Sequence, residues 1–335
     1  LPQPSQSPDS PGAGDAVICT ADDANGFEDG SDGISLTIDA GATISGGDEG
    51  VQAGDGLTLT NDGDILAADE GIEAGDGLDL TNSGLISAAD DAVQSNAGAS
   101  LRNTGTIESA ANDAIDIDNG TIDNHGTIRG LAGAEDGIDF DPAVDATVTS
   151  EVTNRAGAVI EGAIGINTDP ANVSSQHVRN DGTITGRSGI ALLLGAGDDS
   201  VTAGEGGIFN GTVDLGSGSD IATLCHCGGG VIGGGALFDG GEDADTAGFS
   251  DLSTTDLFRI GMAGPLSSDV LRLIFRTADG SRSTVNLTRF ESFAFADRTV
   301  SASDLAGIAP VPVPAPALLL AGALAGLALA GRRRA

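Results

Sequence analysis

The 335-residue chain contains no lysine, no tryptophan and no tyrosine, and only one methionine and three cysteines. Without Trp or Tyr it lacks the usual stacking platforms for nucleobases and sugar rings. Positive charge is scarce as well: 5 arginines precede residue 251, against 43 acidic residues in the same stretch. A field of that sign repels nucleic acid and anionic lipid and gathers cations, so no nucleic-acid partner is expected for this stretch. Three cysteines are too few to staple the scaffold, and their odd number leaves one thiol without a partner in the chain. Cys225-His226-Cys227 crowds its groups onto consecutive positions, which do not easily face one tetrahedral ion, and no second cluster completes a metal site. A disulfide from Cys19 to Cys225 or to Cys227 is the competing reading, and a free thiol is the third.

Few aromatics and high acidity would read as disorder, but the aliphatic residues fall in columns, as those of disordered acidic segments do not. Asn61, Asn82, Asn103 and Asn124 recur at one constant step, each opening an Asn-x-Gly-x-Ile box that ends at Ile65, Ile86, Ile107 and Ile128. The same step aligns Leu36, Leu57 and Leu78; then Ile38, Leu59, Leu80, Leu101 and Ile122; then Val51, Ile72 and Val93, drifting to Ile115 and Ile138. A unit of about 21 residues cannot bury its own apolar face, so successive units must stack. Three short strands per unit, separated by Gly/Asp/Asn turns, predict an all-β chain: a right-handed parallel β-helix, or solenoid, beginning near Ile34. Asn is expected at a corner, where it tolerates left-handed geometry and where stacked amides can bond each other. Later boxes, at Asn154 and Asn180, follow at longer steps, with 139–153 expected as an inserted surface loop.

The boxes NTGTI, NHGTI and NDGTI resemble the repetitive passenger regions of autotransporter-like bacterial surface proteins, over roughly residues 34–190. No C-terminal run of long amphipathic strands follows to form that family's barrel, so only the passenger architecture carries over. Early coils place acidic residues at one corner (Asp48-Glu49, Asp69-Glu70, Asp90-Asp91, Asn112-Asp113, Glu135-Asp136), where cations should accumulate in fixed sites or as a diffuse atmosphere.

LGAGDDSVT at 194–202 resembles the nonapeptide of RTX repeats, and LGSGSDIAT at 215–223 and GGEDADTAG at 240–248 are looser copies, spaced more widely than consecutive nonapeptides. The resemblance implies calcium held by turn carbonyls and by Asp198, Asp199, Asp220, Asp243 and Asp245. A Gly/Asp turn can also stand without metal. Further on, Phe290, Phe293, Phe295 and Ala296-Asp297 resemble the closing segment of RTX-type modules and would cover the open end of the stack.

The chain shown ends in PVPVPAPALLLAGALAGLALAGRRRA. This order resembles the PEP-CTERM/VPLPA-CTERM class of sorting signals, with Val311, Pro312, Pro314 and Ala315 matching its box and Arg332, Arg333 and Arg334 following the apolar run. It implies export, an exosortase-type sorting protease as partner, passage through the membrane by a C-terminal helix, and removal of that helix; a permanent anchor is the competing reading. Five regions follow: a spacer and N-terminal cap at 1–31, solenoid repeats at 32–192, RTX-like coils at 193–249, a β cap at 250–305, and a sorting signal with its hydrophobic helix at 306–335. The function expected is an exported, non-enzymatic structural or adhesin-like protein of the cell surface or extracellular matrix, with polysaccharide or surface components as partners. The alternative is a β-helix polysaccharide-active lyase or hydrolase.

Overall fold

The computed structural model describes residues 6–7, 11–46, 48–131, 133, 135–142, 145–226, 232–262, 270–276, 280, 282–305 and 308. They form a parallel β-solenoid of about 10 turns. One side of every coil belongs to a 14-stranded sheet and the other two sides to an 18-stranded sheet. In the first sheet only the end pairings are antiparallel, Gln6–Ser7 on Ala16–Cys19 and Thr299–Ser301 on Ser292–Phe295.

Side chains alternate in and out along each short strand, so a single residue type repeated along the axis becomes a continuous interior stripe. Leu59, Leu80, Leu101, Ile122, Val152, Val178 and Val201 form one such stripe. Ile44, Ile65, Ile86, Ile107, Ile128, Ile160 and Ile184 form a second. Val51, Ile72, Val93, Ile115 and Ile138 line the third side, and all of them lie in one hydrophobic core that runs from Val17 to Leu305. The two sides of the larger sheet fuse into single bulged strands at Val159–Thr168 and Thr183–Leu193.

Four details differ from the sequence pattern. Leu36, not Ile38, stands opposite Leu59, and Ile38 stands opposite Asn61. The first full coil is therefore longer than the next by two positions; because the side-chain period is also two, the inward face is preserved. The stack begins earlier than Ile34, with Ala16–Cys19 already paired in parallel to Ser35–Ile38. The segment 139–153 is not one loop. Ile138–Phe140 and Thr149–Asn154 are ladder strands, and Phe140 is fully buried. Finally, Cys19 is a free, buried thiol, whereas Cys225 is disulfide-bonded, which removes both the Cys19 bridge and a metal at Cys225. Burial, with Asp23 and Asp39 adding negative charge, pushes the Cys19 thiol up to about 11.

Asn61, Asn82, Asn103, Asn124, Asn154 and Asn180 point inward with no exposed surface. Each Nδ2 of the first five donates to the Oδ1 of the next, at 2.8–2.9 Å. A buried amide without partners would cost a few kcal/mol, so the stacked ladder is what makes a polar stripe tolerable inside an apolar core. The glycine of each Asn-x-Gly box is dictated by the same stacking: a Cβ on Gly84, Gly105 or Gly126 would run into the carbonyl oxygen of the glycine one coil earlier.

At the C-terminal end the fold changes texture. Leu257–Met262, Leu271–Arg276 and Arg282–Thr288 pair antiparallel, and the last of them joins Leu237–Asp239 of the stack in parallel. Phe249, Phe275 and Phe295 meet there with ring centroids 5.2–6.3 Å apart. Aromatic bulk thus replaces the aliphatic stripes where the column of coils stops. Among the described residues no helix is long and apolar enough to cross a membrane. Val311 to Ala315 and Arg332 to Arg334 lie outside the described residues.

Candidate cation sites along the solenoid

The three Gly/Asp turns stack in register although unequal lengths of chain separate them, because one coil rather than one nonapeptide lies between each and the next. Ala196, Ser217 and Glu242 bridge in parallel at this corner. The strands that follow pair Ser200 with Ile221 and Ile221 with Thr246, which sets Asp199, Asp220 and Asp245 one above another. Their exposures are 1%, 1% and 0%.

Each of these carboxylates reaches back one coil. Asp199 Oδ1 accepts the backbone N–H of Gln176 at 2.7 Å, Asp220 Oδ1 that of Asp199 at 2.7 Å, and Asp245 Oδ1 that of Asp220 at 2.9 Å. The second oxygen of all three is buried with no hydrogen-bond partner. Gln176 Oε1 and Thr168 Oγ1, near the same corner, are in the same condition, so five of the eight such atoms among the described residues gather here. All are oxygens that can accept, which is the donor set of a hard cation and not of zinc or copper. Burial pushes Asp199 up to about 8, Asp220 up to about 7 and Asp245 up to about 6, with neighbouring carboxylates adding to the rise and the N–H bonds opposing it. An open depression of about 370 Å³, lined in part by Thr168, Gly195, Gly216 and Glu242, lies beside this corner, and none of the three stacked aspartates lines it.

Two of the five expected ligands do not face the column. Asp198 is exposed, and its Oδ1 accepts the N–H of Ser219 at 2.9 Å. Asp243 is exposed at φ +83°, in register with Gly197 and Gly218, whose φ values are +155° and +142°. It occupies a backbone position that suits glycine and contributes charge without reaching the interior. Gln176 was not legible as a member because it lies in a strand and not in a Gly-rich turn. Only the ladder register brings it to Asp199.

A second staircase lies at the acidic corner of the earlier coils. Asp91 Oδ1 accepts the N–H of Asp113 at 2.9 Å, Asp113 Oδ1 that of Asp136 at 2.5 Å, and Asp136 Oδ1 that of Ile164 at 2.7 Å. On the adjoining face the carboxylates of Asp116, Asp139 and Asp141 lie within 4.8 Å of one another, as do those of Asp69, Glu70 and Asp90. Burial first, then mutual repulsion, pushes Asp139 up to about 7 and Asp116 up to about 6. Asp141 is exposed and Asp116 and Asp139 are half-buried, although one oxygen of each of the latter two is also buried without a hydrogen-bond partner.

Cationic side chains are few in the coils, and several of those described are engaged by carboxylates. Asp123 accepts from Arg102, His125 and Arg155 at 2.6–3.0 Å, and Arg129 holds Glu108 at 2.9 Å. Arg289 grips both oxygens of Asp239 at 2.5 and 2.6 Å. No family model, curated protein or solved structure matches this sequence.

Proposed function

We propose that the chain is an exported, non-enzymatic structural or adhesin-like element of the cell surface or extracellular matrix. In this reading it is a right-handed solenoid closed by its C-terminal β segment and stabilised by calcium. The observation that carries the reading is the single unbroken core, through which one hydrogen-bonded stack extends from Ala16–Cys19 to Ser292–Phe295. Twelve parallel strands at about 4.8 Å spacing make a rod roughly 50 Å long. Such a rod serves as a stalk or coat, and its acidic faces keep a long β structure soluble and discourage lateral association.

Calcium enters through the Asp199, Asp220 and Asp245 oxygens. Calcium takes six to eight oxygen ligands at about 2.3–2.6 Å in flexible geometry, which suits carboxylate oxygens stacked on consecutive coils better than the strict octahedron of magnesium. Millimolar Ca²⁺ is expected to stabilise the chain beyond NaCl of matched ionic strength, by roughly 2.7 kcal/mol at 100 times Kd, and so to raise the unfolding temperature, and Asp199→Ala to remove most of that excess. Equal shifts in the two salts would remove calcium from the proposal.

Export and sorting rest on the resemblance of residues 311–334 to an exosortase substrate. Surface material should end upstream of Leu318 and lack Arg332 to Arg334; an intact C-terminus by mass spectrometry would favour a permanent anchor. The second reading, a polysaccharide-active enzyme, draws on one observation, the clustered carboxyls of Asp116, Asp139 and Asp141, two of them with raised proton affinity. Depolymerisation of an acidic or neutral polysaccharide by the purified chain, lost on Asp139→Asn, would establish it and sink the structural reading.

A further inference from the structure

The interior column at the Gly/Asp corner does not stop with the three motif aspartates. Thr246 pairs with Ser292, which places Glu291 one coil beyond Asp245. Glu291 repeats the bond made by the others, its Oε2 accepting the N–H of Asp245 at 2.9 Å. It differs from them in being exposed. The column is therefore closed at Gln176, whose Oε1 is buried without a partner, and open at Glu291. Nothing in the Gly-x-Gly-x-Asp pattern points to Glu291, which precedes a strand rather than ending a glycine turn.

Ser292–Phe295 is the last parallel strand of the first sheet and carries Phe293 and Phe295 into the core. Its one parallel neighbour is Thr246–Phe249, and only the short antiparallel Thr299–Ser301 covers its other side, so in a stack of nearest-neighbour contacts it is among the strands most easily lost. Asp245 and Glu291 set two negative groups one coil apart at that junction, and like charges at that spacing repel. Arg289 is held bidentate by Asp239, and its charge, acting on Asp245 without a direct bond, offsets only part of that repulsion.

Taking the calcium column as its premise, we infer that Glu291 is the terminal cation ligand, and that an ion shared with Asp245 fastens the closing strand to the stack. Repulsion at the junction then becomes attraction, and the exposed end of the column is where the ion enters. Cation supply would thereby control whether the end of the solenoid is shut.

Hydrogen exchange of the full chain, read by mass spectrometry in EDTA, in CaCl₂ and in NaCl of matched ionic strength, tests this with Ca²⁺ as the probe. At 100 times Kd, Ca²⁺ is expected to slow exchange in Ser292–Phe295 about 100-fold. Glu291→Gln keeps an acceptor for the Asp245 N–H but removes the charge; it should cut that protection to less than about 10-fold while Ser200–Ala203 keeps its own. Asp199→Asn should do the converse. Glu291→Asp, one methylene shorter, should shift the calcium midpoint for the closing strand upward without abolishing the response, a readout that remains if the glutamine variant does not fold. Should Ca²⁺ protect Ser200–Ala203 while Glu291→Gln and Glu291→Asp leave the closing strand's response intact, the tether is wrong and the column stands. If NaCl reproduces every effect, the column falls and the tether with it.

Discussion

Asn103 sits in the middle of the amide ladder, and replacing it with alanine should cost about 3–4 kcal/mol. Its Nδ2 donates to Asn124 Oδ1 at 2.9 Å, to the carbonyl of Thr127 at 3.1 Å and to that of Gly105 at 3.3 Å. Its Oδ1 accepts from Asn82 Nδ2 at 2.9 Å and from the N–H of Gly105 at 3.2 Å. The two Nδ2 protons are shared among three acceptors, so with the two accepted bonds a net of about 1 kcal/mol each sets a ceiling of about 4 kcal/mol. Some partners keep other contacts, however: Asn82 Nδ2 retains the carbonyls of Gly84 and Thr106, and Asn124 Oδ1 retains the N–H of Gly126. Asn61, at the head of the ladder, is the internal control. Its Oδ1 has no partner, and its Nδ2 donates to Asn82 and to the carbonyl of Leu85. Alanine there should cost about 2 kcal/mol. Asn103→Asp should be the worst of the three, because a carboxylate cannot donate and would face the Asn124 and Thr127 oxygens in a dry interior. Urea unfolding followed by circular dichroism, at fixed pH and salt, gives the ranking. If Asn103→Ala costs no more than Asn61→Ala, the ladder is not the cooperative device described here and the buried amides are held by local turns alone.

Ile86→Asp should place an unpaired charge in the middle of a fully buried stripe and cost several kcal/mol. Outward Thr58→Asp should cost under about 1 kcal/mol even with Asp79 beside it, and equal thermal midpoints for the two variants would contradict the register. In EDTA the chain should be more stable at pH 5 than at pH 8.5, because Asp91, Asp139, Asp199 and Asp220 have affinities raised to about 7–8 in the fold. A raised folded-state pKa gives stability that is complete below the unfolded value of about 3.9 and is lost as pH climbs through 7–8; a thermal midpoint that rises over that window would refute the burial of these groups. Asp243→Gly should stabilise by about 0.5–1 kcal/mol by relieving a left-handed aspartate, and a loss in chemical unfolding would show that its side chain contributes more than its backbone costs.

The Asn-x-Gly-x-Ile step was enough to establish a stacked architecture, because a repeat with one inward aliphatic per short strand has no other way to bury it. It also located Ile65 through Ile128 and the Val51 to Ile138 column, where coil length is nearly constant and spacing along the chain tracks spacing along the axis. Where coil length changes the equivalence fails. Leu36 meets Leu59 across a longer stretch of chain than the repeat supplies, and only pairing decides that contact, since backbone hydrogen bonds and inward parity set the register; Asn154 stayed legible at its longer step because the box itself marks it. The same limit governs the acidic column. Sequence singled out Asp199, Asp220 and Asp245 by their turns, but whether an aspartate points in or out depends on its place at the corner. The exposed Asp198 and Asp243 look identical to their buried neighbours in a one-dimensional reading. Gln176 and Glu291 belong to the column only because the tertiary structure stacks five coils of unequal length, and stacking, unlike composition, is a property of the third dimension.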